Sequence, residues 1–328
     1  MNPSPTIGVF DSGFGGLTVL RALLARMPAA RYVFLGDTAR LPYGSKSRRT
    51  IARYAAESAR FLVHQQGAEF LVIACNTASA LALDAIQESV PVPVLGVIQP
   101  GAAAARAVSQ SGHVLVLATS ATVQSRAYSA ACQAIGLRAV EKACPLLVPL
   151  VEEGWTTDID TSTKPGASVP ALSLSKGLDS ETWESTNASQ LAVTQEVIRI
   201  YLEEVLAAAA RENLQPDTLL LGCTHYPLLR PLIEKAVPAG LRVIDSADST
   251  ANAAAALING HLTSQIAAPA GPSTAVRLTE SGSPRTGLSP RGVEIRCFAT
   301  DSVEKFSRLG SRFLGRPVGP VQLIDLGG

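Results

Sequence analysis

Short apolar runs rich in β-branched residues alternate along this chain with longer, alanine-rich stretches that have helical spacing. A short uninterrupted apolar run is typical of a strand that is buried on both faces. Strands that alternate with helices form parallel sheets, because the chain has to cross over the sheet between one parallel strand and the next. The alternation therefore predicts an α/β fold of parallel sheets covered by helices.

The apolar runs that are predicted as strands span residues 7–10, 32–35, 70–74, 94–97, 113–118, 218–221 and 241–244. Helical spacing is clearest in residues 50–66, 122–135 and 190–210. In parallel sheets, ligands bind beyond the carboxyl ends of the strands. The residues that follow each apolar run are therefore the first candidates for chemistry.

Two segments, residues 156–189 and 265–292, interrupt this alternation and are rich in Ser, Thr, Gly and Pro. Both are longer than an ordinary connection, and neither has a sustained periodicity. We predict that they are flexible surface insertions. A lid over a site is the alternative interpretation of such a segment.

The composition restricts the class of protein. Of the 328 residues 47% are hydrophobic, which is enough to bury a core, and 28 Lys and Arg balance 27 Asp and Glu. The basic excess of a nucleic-acid-binding protein is missing, as are an apolar run of membrane-spanning length and the charged start of a secretory signal. The five cysteines are an odd number, which indicates reduced thiols in a cytoplasmic protein. We expect neither nucleic acid nor a membrane as a partner.

Two segments of the chain have the same design, FLVIACNTASA at 70–80 and LLLGCTHYPLL at 219–229. Each consists of an apolar strand, a small residue, a cysteine, two polar residues and a helix-compatible run. Each also follows an earlier strand that ends in polar residues. The chain thus resembles two related halves, which place Cys75 and Cys223 at the carboxyl ends of strands.

A glycine-rich turn, DSGFGG at 11–16, follows the first predicted strand. Its spacing does not match a dinucleotide-binding fingerprint, which would need glycine where the chain has Thr18. A tight strand-to-helix turn accounts for the glycines, but it does not require Asp11 and Ser12 before them. A helix N-terminus beside a hydroxyl alternatively suits a carboxylate or another small anion.

Cys75 and Cys223 are the strongest candidates for chemistry. Each lies where a strand gives way to a helix, so the backbone N–H groups and the helix dipole are expected to lower the thiol pKa. A metal site is disfavoured because neither thiol has a C-x-x-C partner. A nucleophile pair of Cys223 with His225 stays open, but it leaves Cys75 unexplained. The other cysteines are predicted to be ordinary buried residues: Cys132, Cys144 and Cys297.

Two thiols that face each other across a cleft suit racemisation. A racemase removes a proton from one face of a stereocentre and returns a proton to the other face, which a thiolate and a thiol can do in either direction. Since the α-proton of an amino acid is a much weaker acid than a thiol, the site has to exclude water and stabilise the carbanion. Asp11 and His225 could each tune or relay the proton.

Six segments, in this order, resemble a known family: IGVFDSGFGGLTVL (7–20), FLGDTARLPYGSKS (34–47), IACNTASA (73–80), VLATSATVQSRAY (116–128), CPLLVPLVEEG (144–154) and LLGCTHYPLL (220–229). The chain resembles the glutamate racemases of the cofactor-independent aspartate/glutamate racemase superfamily. The resemblance implies two similar α/β domains in a pseudo-two-fold relation, with the active site in the cleft between them. We predict that residues 1–98 and 246–328 form the first domain and residues 99–245 the second.

The resemblance also implies roles for individual residues. It places the two proton donor/acceptors on Cys75, which acts on the D-enantiomer, and on Cys223, which acts on the L-enantiomer. It matches three supporting catalytic groups: Asp11, Glu152 and His225. It matches ten substrate contacts: Asp11, Ser12, Tyr43, Gly44, Asn76, Thr77, Thr119, Thr122, Thr224 and His225. By themselves, Tyr43 and Gly44 would be no more than a turn, and Glu152 a solvated acid.

Further implications of the resemblance concern cofactor and biological role. The family uses neither pyridoxal phosphate nor a metal ion, supplies D-glutamate for peptidoglycan in the cell wall, and commonly forms homodimers. We therefore expect glutamate as the substrate, no cofactor and a homo-oligomer. The alternatives are an aspartate racemase, a non-catalytic amino-acid-binding regulatory protein, and a thiol-redox protein in which Cys75 and Cys223 form a disulfide. Glutamate is favoured because every segment matches glutamate racemases.

Overall fold

A computed structural model of the chain describes residues 4–156, 180–267 and 293–327, and for residues 180–187 and 261–267 it describes the backbone alone. Every strand pair in this part of the chain is parallel. The strands are β1 (Thr6–Asp11), β2 (Arg31–Gly36), β3 (Phe70–Ile73), β4 (Val94–Gly96), β5 (His113–Ala118), β6 (Arg138–Ala143), β7 (Thr218–Gly222), β8 (Arg242–Asp245), β9 (Ile295–Ala299) and β10 (Val321–Leu323).

The strands form two sheets. Sheet A has the order β10-β9-β2-β1-β3-β4, and sheet B has the order β6-β5-β7-β8. The predicted fold class, two parallel-sheet α/β units, is confirmed. Sheet A combines strands that precede residue 97 with strands that follow residue 294, whereas sheet B contains strands from residues 113–245. The domain boundaries after residues 98 and 245 stay a prediction.

Helices connect the strands and cover the sheets. They are α1 (Leu17–Arg26), α2 (Arg48–Arg60), α3 (Asn76–Leu81), α4 (Leu83–Ser89), α5 (Ile98–Val108), α6 (Ser120–Ser125), α7 (Ala127–Ala134), α8 (Leu147–Glu152), α9 (Ser180–Arg211), α10 (Arg230–Ala236), α11 (Ala247–Ala267) and α12 (Val303–Leu314). None of these described helices combines the length and the apolar character needed to cross a membrane.

Two predicted helical segments differ in detail from the structure. The helix expected at 122–135 is divided into α6 and α7 at Arg126, which has a φ of 57° in the left-handed region. The helix expected at 190–210 begins earlier, at Ser180, so ten residues of the segment predicted as the first insertion are helical. The remainder of the two predicted insertions, residues 157–179 and 268–292, lies outside the described residues.

The largest hydrophobic cluster joins the two sheets. It contains Phe14 and Phe34 from the side of sheet A, and Leu117 and Leu221 from sheet B, all at most 1% exposed. Phe306 on α12 is packed between the two phenylalanines, with ring centroids 5.7 and 5.8 Å away. Because apolar contact continues from one sheet to the other, the carboxyl ends of their strands are held on the two sides of one cavity.

Candidate active site

A cavity of about 520 Å³ is bordered by residues that follow strands of both sheets. The predicted site residues that line it are Ser12, Tyr43, Gly44, Cys75, Asn76, Thr77, Thr119, Glu152, Cys223, Thr224 and His225. Asp11 and Thr122 are buried behind the wall, at 1% and 0% exposure. Cys144, which was predicted to be an ordinary buried thiol, also lines the cavity.

Cys75 connects β3 to α3 at the start of that helix. Its Sγ accepts from the backbone N–H of Ala78 at 3.4 Å and lies 3.3 Å from the Oγ of Ser12. Burial, together with the charge of the nearby Asp11, raises the pKa of Cys75 to about 12, although hydrogen bonds with Ser12 and Ala78 favour the thiolate. The expected lowering of this pKa was wrong, because a helix of six residues offsets little of the loss of solvation.

Asp11 ends β1 behind Cys75. Its Oδ2 accepts from the N–H of Gly13 at 2.9 Å, and its Oδ1 is buried without a protein partner. Burial raises the pKa of Asp11, and the charge of His225 opposes this effect. A side chain at Gly16 would place its Cβ 2.6 Å from the Cβ of Asp11, so only glycine lets the chain approach this closely. The glycine-rich turn therefore serves both the fold and the site.

Cys223 and His225 follow β7 on the other side of the cavity. The Nε2 of His225 lies 3.2 Å from the Oε1 of Glu152 at the end of α8. Burial alone would lower the pKa of His225, but hydrogen bonds to Cys223 and Glu152 raise it to about 10. The imidazole is therefore a cation near neutral pH. A Cβ at Gly15 would overlap the Oγ1 of Thr224 and lie 2.7 Å from the Nδ1 of His225.

The carboxylate of Glu152 is held on both oxygens. Its Oε2 lies 2.9 Å from the Nζ of Lys305 on α12, opposite the oxygen that faces His225. Burial would raise the pKa of Glu152, but its hydrogen bonds to His225 and Lys305 lower it. The ring of Phe313, also on α12, packs edge-on against the His225 ring at 5.2 Å. Glu152 is therefore an ionised, partnered group rather than a solvated surface acid.

Hydroxyl groups from both sheets meet at one wall of the cavity. The Oγ1 of Thr77 lies 3.0 Å from that of Thr119 and 3.4 Å from that of Thr122, which are themselves 2.9 Å apart. Beside them, the Oδ1 of Asn76 accepts from the hydroxyl of Tyr128 at 2.6 Å, while its Nδ2 is buried without a protein partner. This wall thus offers hydrogen-bond donors suited to a carboxylate.

Comparisons with known proteins show which family the chain is related to. A sequence model described as Asp/Glu/Hydantoin racemase matches residues 7–163. A glutamate racemase from Koribacter versatilis is 46% identical over 331 residues, covering 99% of this chain and 98% of that protein. The chain belongs to the glutamate racemase family.

Solved structures of the family agree in fold over the whole chain. A glutamate racemase isoform from Bacillus anthracis is 28% identical with a TM-score of 0.73, and the match covers 99% of each chain. The glutamate racemase from Francisella tularensis, solved in complex with D-glutamate, is 28% identical with a TM-score of 0.71 and the same coverage. The similarity therefore includes both halves that border the cavity.

Two residues of this racemase-family chain were missed by sequence reasoning. Asp37, which is 0% exposed, accepts from the hydroxyl of Tyr43 at 2.5 Å, from Thr300 and from Arg40. The Tyr43 hydroxyl is therefore used within the protein, and burial raises its pKa. Lys305 is the second, 153 positions from its partner Glu152. Asp37 follows an apolar run, which is a usable signal, whereas no local pattern identifies Lys305.

The described residues of this racemase-family chain provide little for a metal ion. In residues 4–156, 180–267 and 293–327 no group of three or more His, Cys, Asp and Glu side chains is arranged to hold one. The five cysteines are free and buried. Among the described residues, the acid–base groups that border the cavity include the thiols of Cys75, Cys144 and Cys223, the His225 imidazole and the Glu152 carboxylate.

Proposed function

We propose that the protein interconverts L-glutamate and D-glutamate by proton transfer between Cys75 and Cys223. The observation that carries this proposal is that Cys75, just beyond β3 of sheet A, and Cys223, directly after β7 of sheet B, line the same cavity. Relatives that are 46% and 38% identical over nearly the whole chain are named glutamate racemases, and one similar structure was solved in complex with D-glutamate. Together these support glutamate as the substrate.

The reaction needs one proton in and one proton out. With L-glutamate, the thiolate of Cys223 takes the α-proton, so that the C–H bond breaks, an S–H bond forms and the electron pair stays on the substrate. The thiol of Cys75 then gives its proton to the opposite face and becomes a thiolate. D-glutamate reacts in reverse. The enzyme ends in the form that accepts the other enantiomer, and no electrons are exchanged with a cofactor.

The charges around the thiols support this chemistry. Burial and the charge of Asp11 raise the pKa of Cys75, so this side of the cavity favours a protonated thiol. The α-ammonium of a bound amino acid adds a positive charge that favours a thiolate, and the charge of the Asp11 carboxylate behind the cavity wall attracts that ammonium. On the other side, the cationic His225 is hydrogen-bonded to Cys223. Asp11 and His225 thereby tune the two thiols.

The carbanion spreads its charge onto the α-carboxylate, which then needs hydrogen-bond donors. The Nδ2 of Asn76 is unpartnered, and the hydroxyls of Thr77 and Thr119 border the cavity. We assign these groups, with Ser12, Gly44 and Thr224, to the two carboxylates of glutamate. Because these donors are fixed by contacts within the protein, little reorganisation accompanies the proton transfer.

We extend the proposal to the setting of the reaction. The family resemblance supports a cofactor-independent homodimer that works in the cytoplasm and supplies D-glutamate for peptidoglycan. The strand membership of the two sheets supports domains of residues 1–98 with 246–328 and of residues 99–245. In this arrangement the cavity lies between the domains.

Incubation with L-glutamate in D₂O without pyridoxal phosphate tests the proposal. Optical rotation should decay to zero while NMR detects deuterium at the α-carbon, because the returned proton comes from a thiol that exchanges with solvent. The same measurement with L-aspartate is the specificity control. If only aspartate exchanged its α-proton, the substrate would be aspartate and not glutamate. If neither amino acid reacted, the proposal would be contradicted.

A further inference from the structure

Helix α12 follows a strand of sheet A, yet its side chains contact residues that follow strands of sheet B. Lys305 Nζ lies 2.9 Å from Glu152 Oε2, and the Phe313 ring packs against His225. Further along the helix, the Nη2 of Arg312 donates to the Oγ1 of Thr156 at 2.8 Å. Three side chains of one helix therefore hold the segment that carries Glu152 and the imidazole beside it.

We propose that Lys305 is a positioning residue for the Cys223 side of the site, which fixes the Glu152 carboxylate and limits the negative charge that Glu152 presents to His225. The inference rests on the proposed function, in which Cys223 is the base for L-glutamate. Lys305 itself touches neither thiol in this assignment. It acts through Glu152.

The geometry gives Lys305 control of orientation. Each oxygen of the Glu152 carboxylate has its own cation, His225 on Oε1 and Lys305 on Oε2. A carboxylate with both oxygens engaged cannot turn without breaking a hydrogen bond. The Glu152 and His225 side chains are 14% and 7% exposed, whereas Lys305 is 38% exposed. The lysine thus connects a buried pair to the solvent side.

The surrounding charges determine the sign of the effect. His225 faces Glu152 and Cys223 directly and the charge of Asp11 at longer range, while Glu152 faces His225 and Lys305. Loss of the Lys305 charge leaves the carboxylate to His225 alone, which should raise the pKa of His225. Loss of the Glu152 charge should lower the same pKa. The two substitutions therefore have opposite predicted signs.

Other charged groups nearby have different positions. Glu153 lines the cavity, but no hydrogen bond joins it to the imidazole among the described contacts. Arg312 is engaged with Thr156, and burial together with the charge of the neighbouring Arg308 lowers its pKa. Lys305 is therefore the cation of α12 that acts on Glu152.

Kinetics provide a second consequence. Without Lys305, the Glu152 carboxylate is free to turn and keeps its full negative charge. That charge offsets more of the positive charge of His225, which then stabilises the Cys223 thiolate less. The two enantiomers have an equilibrium constant of unity, so kcat/KM has to stay equal in the two directions in every variant. An effect confined to one side of the site therefore has to change kcat and KM to different extents for the two enantiomers, while kcat/KM stays equal for both.

The test compares K305M and K305R with E152Q and a matched control, K235M, which removes an exposed lysine of α10 that does not line the cavity. NMR of ring-labelled histidine, with the His225 signal assigned from H225N, gives the titration of His225 in the full-length protein. We expect K305M to move this titration to higher pH and E152Q to lower pH. K305R and K235M should titrate like the wild type.

The kinetic arm measures kcat for each enantiomer across the same pH range. We expect K305M to lower kcat for L-glutamate about three- to tenfold, the size of a change of up to one unit in a catalytic pKa, with a smaller change for D-glutamate. Midpoints of thermal unfolding should stay close to that of wild type, since a half-exposed ion pair adds little stability.

The inference is overturned if K305M titrates like K235M while E152Q shifts His225. It is also overturned if K305R behaves like K305M, because the charge would then be irrelevant. The titration is recorded without substrate, so it decides the role of Lys305 in the ion pair whether or not glutamate is racemised. Failure of the D₂O exchange would instead contradict the proposed function.

Discussion

At the residue scale, the two thiols have opposite electrostatic surroundings. Cys75 lies near the buried carboxylate of Asp11, whereas Cys223 is hydrogen-bonded to the cationic His225. Burial and the nearby Asp11 therefore favour the protonated thiol at Cys75. The two halves resemble each other in sequence, and each places one thiol in the site. The charged group beside the thiol, however, is different in the two halves.

Replacement of either thiol by serine should remove racemisation. A hydroxyl is a much weaker acid than a thiol, so C75S and C223S should each lose a factor of about 10² to 10⁴ in turnover. C297S is the matched control, because Cys297 is a buried residue of β9, only 1% exposed, that does not line the cavity. It should lose stability but keep turnover in the polarimetric assay. Near-normal turnover of C75S or C223S would exclude the two-thiol mechanism.

The buried imidazole should make stability depend on pH. Its pKa is raised from 6.5 to about 10 in the folded protein, so its contribution to the free energy of unfolding is complete below pH 6.5. That contribution is lost as the pH rises toward 10. Calorimetry at stepped pH should show the midpoint of wild type falling across this window, and H225N falling less. Burial of Cys75 adds a loss above pH 9 in both proteins. A wild-type midpoint that is constant up to pH 9 would contradict this expectation.

At the element scale, the glycine-rich turn before α1 lets one half of the molecule approach the other. A Cβ at Gly15 would collide with Thr224 and His225, which follow β7 of sheet B. G15A should therefore displace the Cys223 side, and a displacement of about 1 Å can cost about 10²-fold in turnover. The matched control is G260A in α11, where an added methyl group meets no atom of the described residues outside its own helix backbone within 4 Å.

The two alanine variants should differ in the direction of their effects. G260A should keep wild-type turnover and gain up to about 1 kcal/mol of stability, since alanine is the better helix former. G15A should lose most of its turnover under conditions in which it is still folded. Equal turnover of the two variants, measured under saturating glutamate, would mean that the close contact at Gly15 has no role in the site.

The strands differ in how well the sequence predicts them. Apolar runs identified β1 to β5, β7 and β8, most of which are buried on both faces. They missed β6, whose sequence RAVEKA mixes charged and apolar residues at the edge of sheet B. They also missed β9 and β10, of which β10 is an edge strand with exposed residues. Edge strands have a solvated face, so hydrophobicity alone marks them poorly.

The site could be predicted as far as its residues are local to strand ends. Cys75 and Cys223 follow apolar runs, and the spacing of the two repeats brings them to notice. Burial is a property of the folded chain, which is why the direction of the Cys75 pKa shift was misjudged. Lys305 reaches Glu152 only through tertiary contact across 153 positions. No local pattern contains that information.

At the scale of the whole molecule, one hydrophobic cluster extends through both sheets. Two proposed domains that share such a core should unfold as one unit. Pulsed alkylation at rising urea concentration can test this with Cys297 in sheet A and Cys132 on α7 beside sheet B, both at most 1% exposed. We expect both thiols to become reactive at the same urea midpoint. Earlier reaction of Cys132 would mean that the half with sheet B unfolds independently.

The order of strands in sheet A has a consequence for biosynthesis. β9 pairs with β2, and the contact of Thr300 with Asp37 beside this pair joins positions 263 residues apart. All strands of sheet B leave the ribosome before β9 does. A growing chain therefore carries a finished sheet B next to a sheet A whose β2 edge is still unpaired, the kind of edge that promotes aggregation. Since α12 also emerges late, the nascent protein gains its complete acid–base machinery only after that vulnerable edge has been closed.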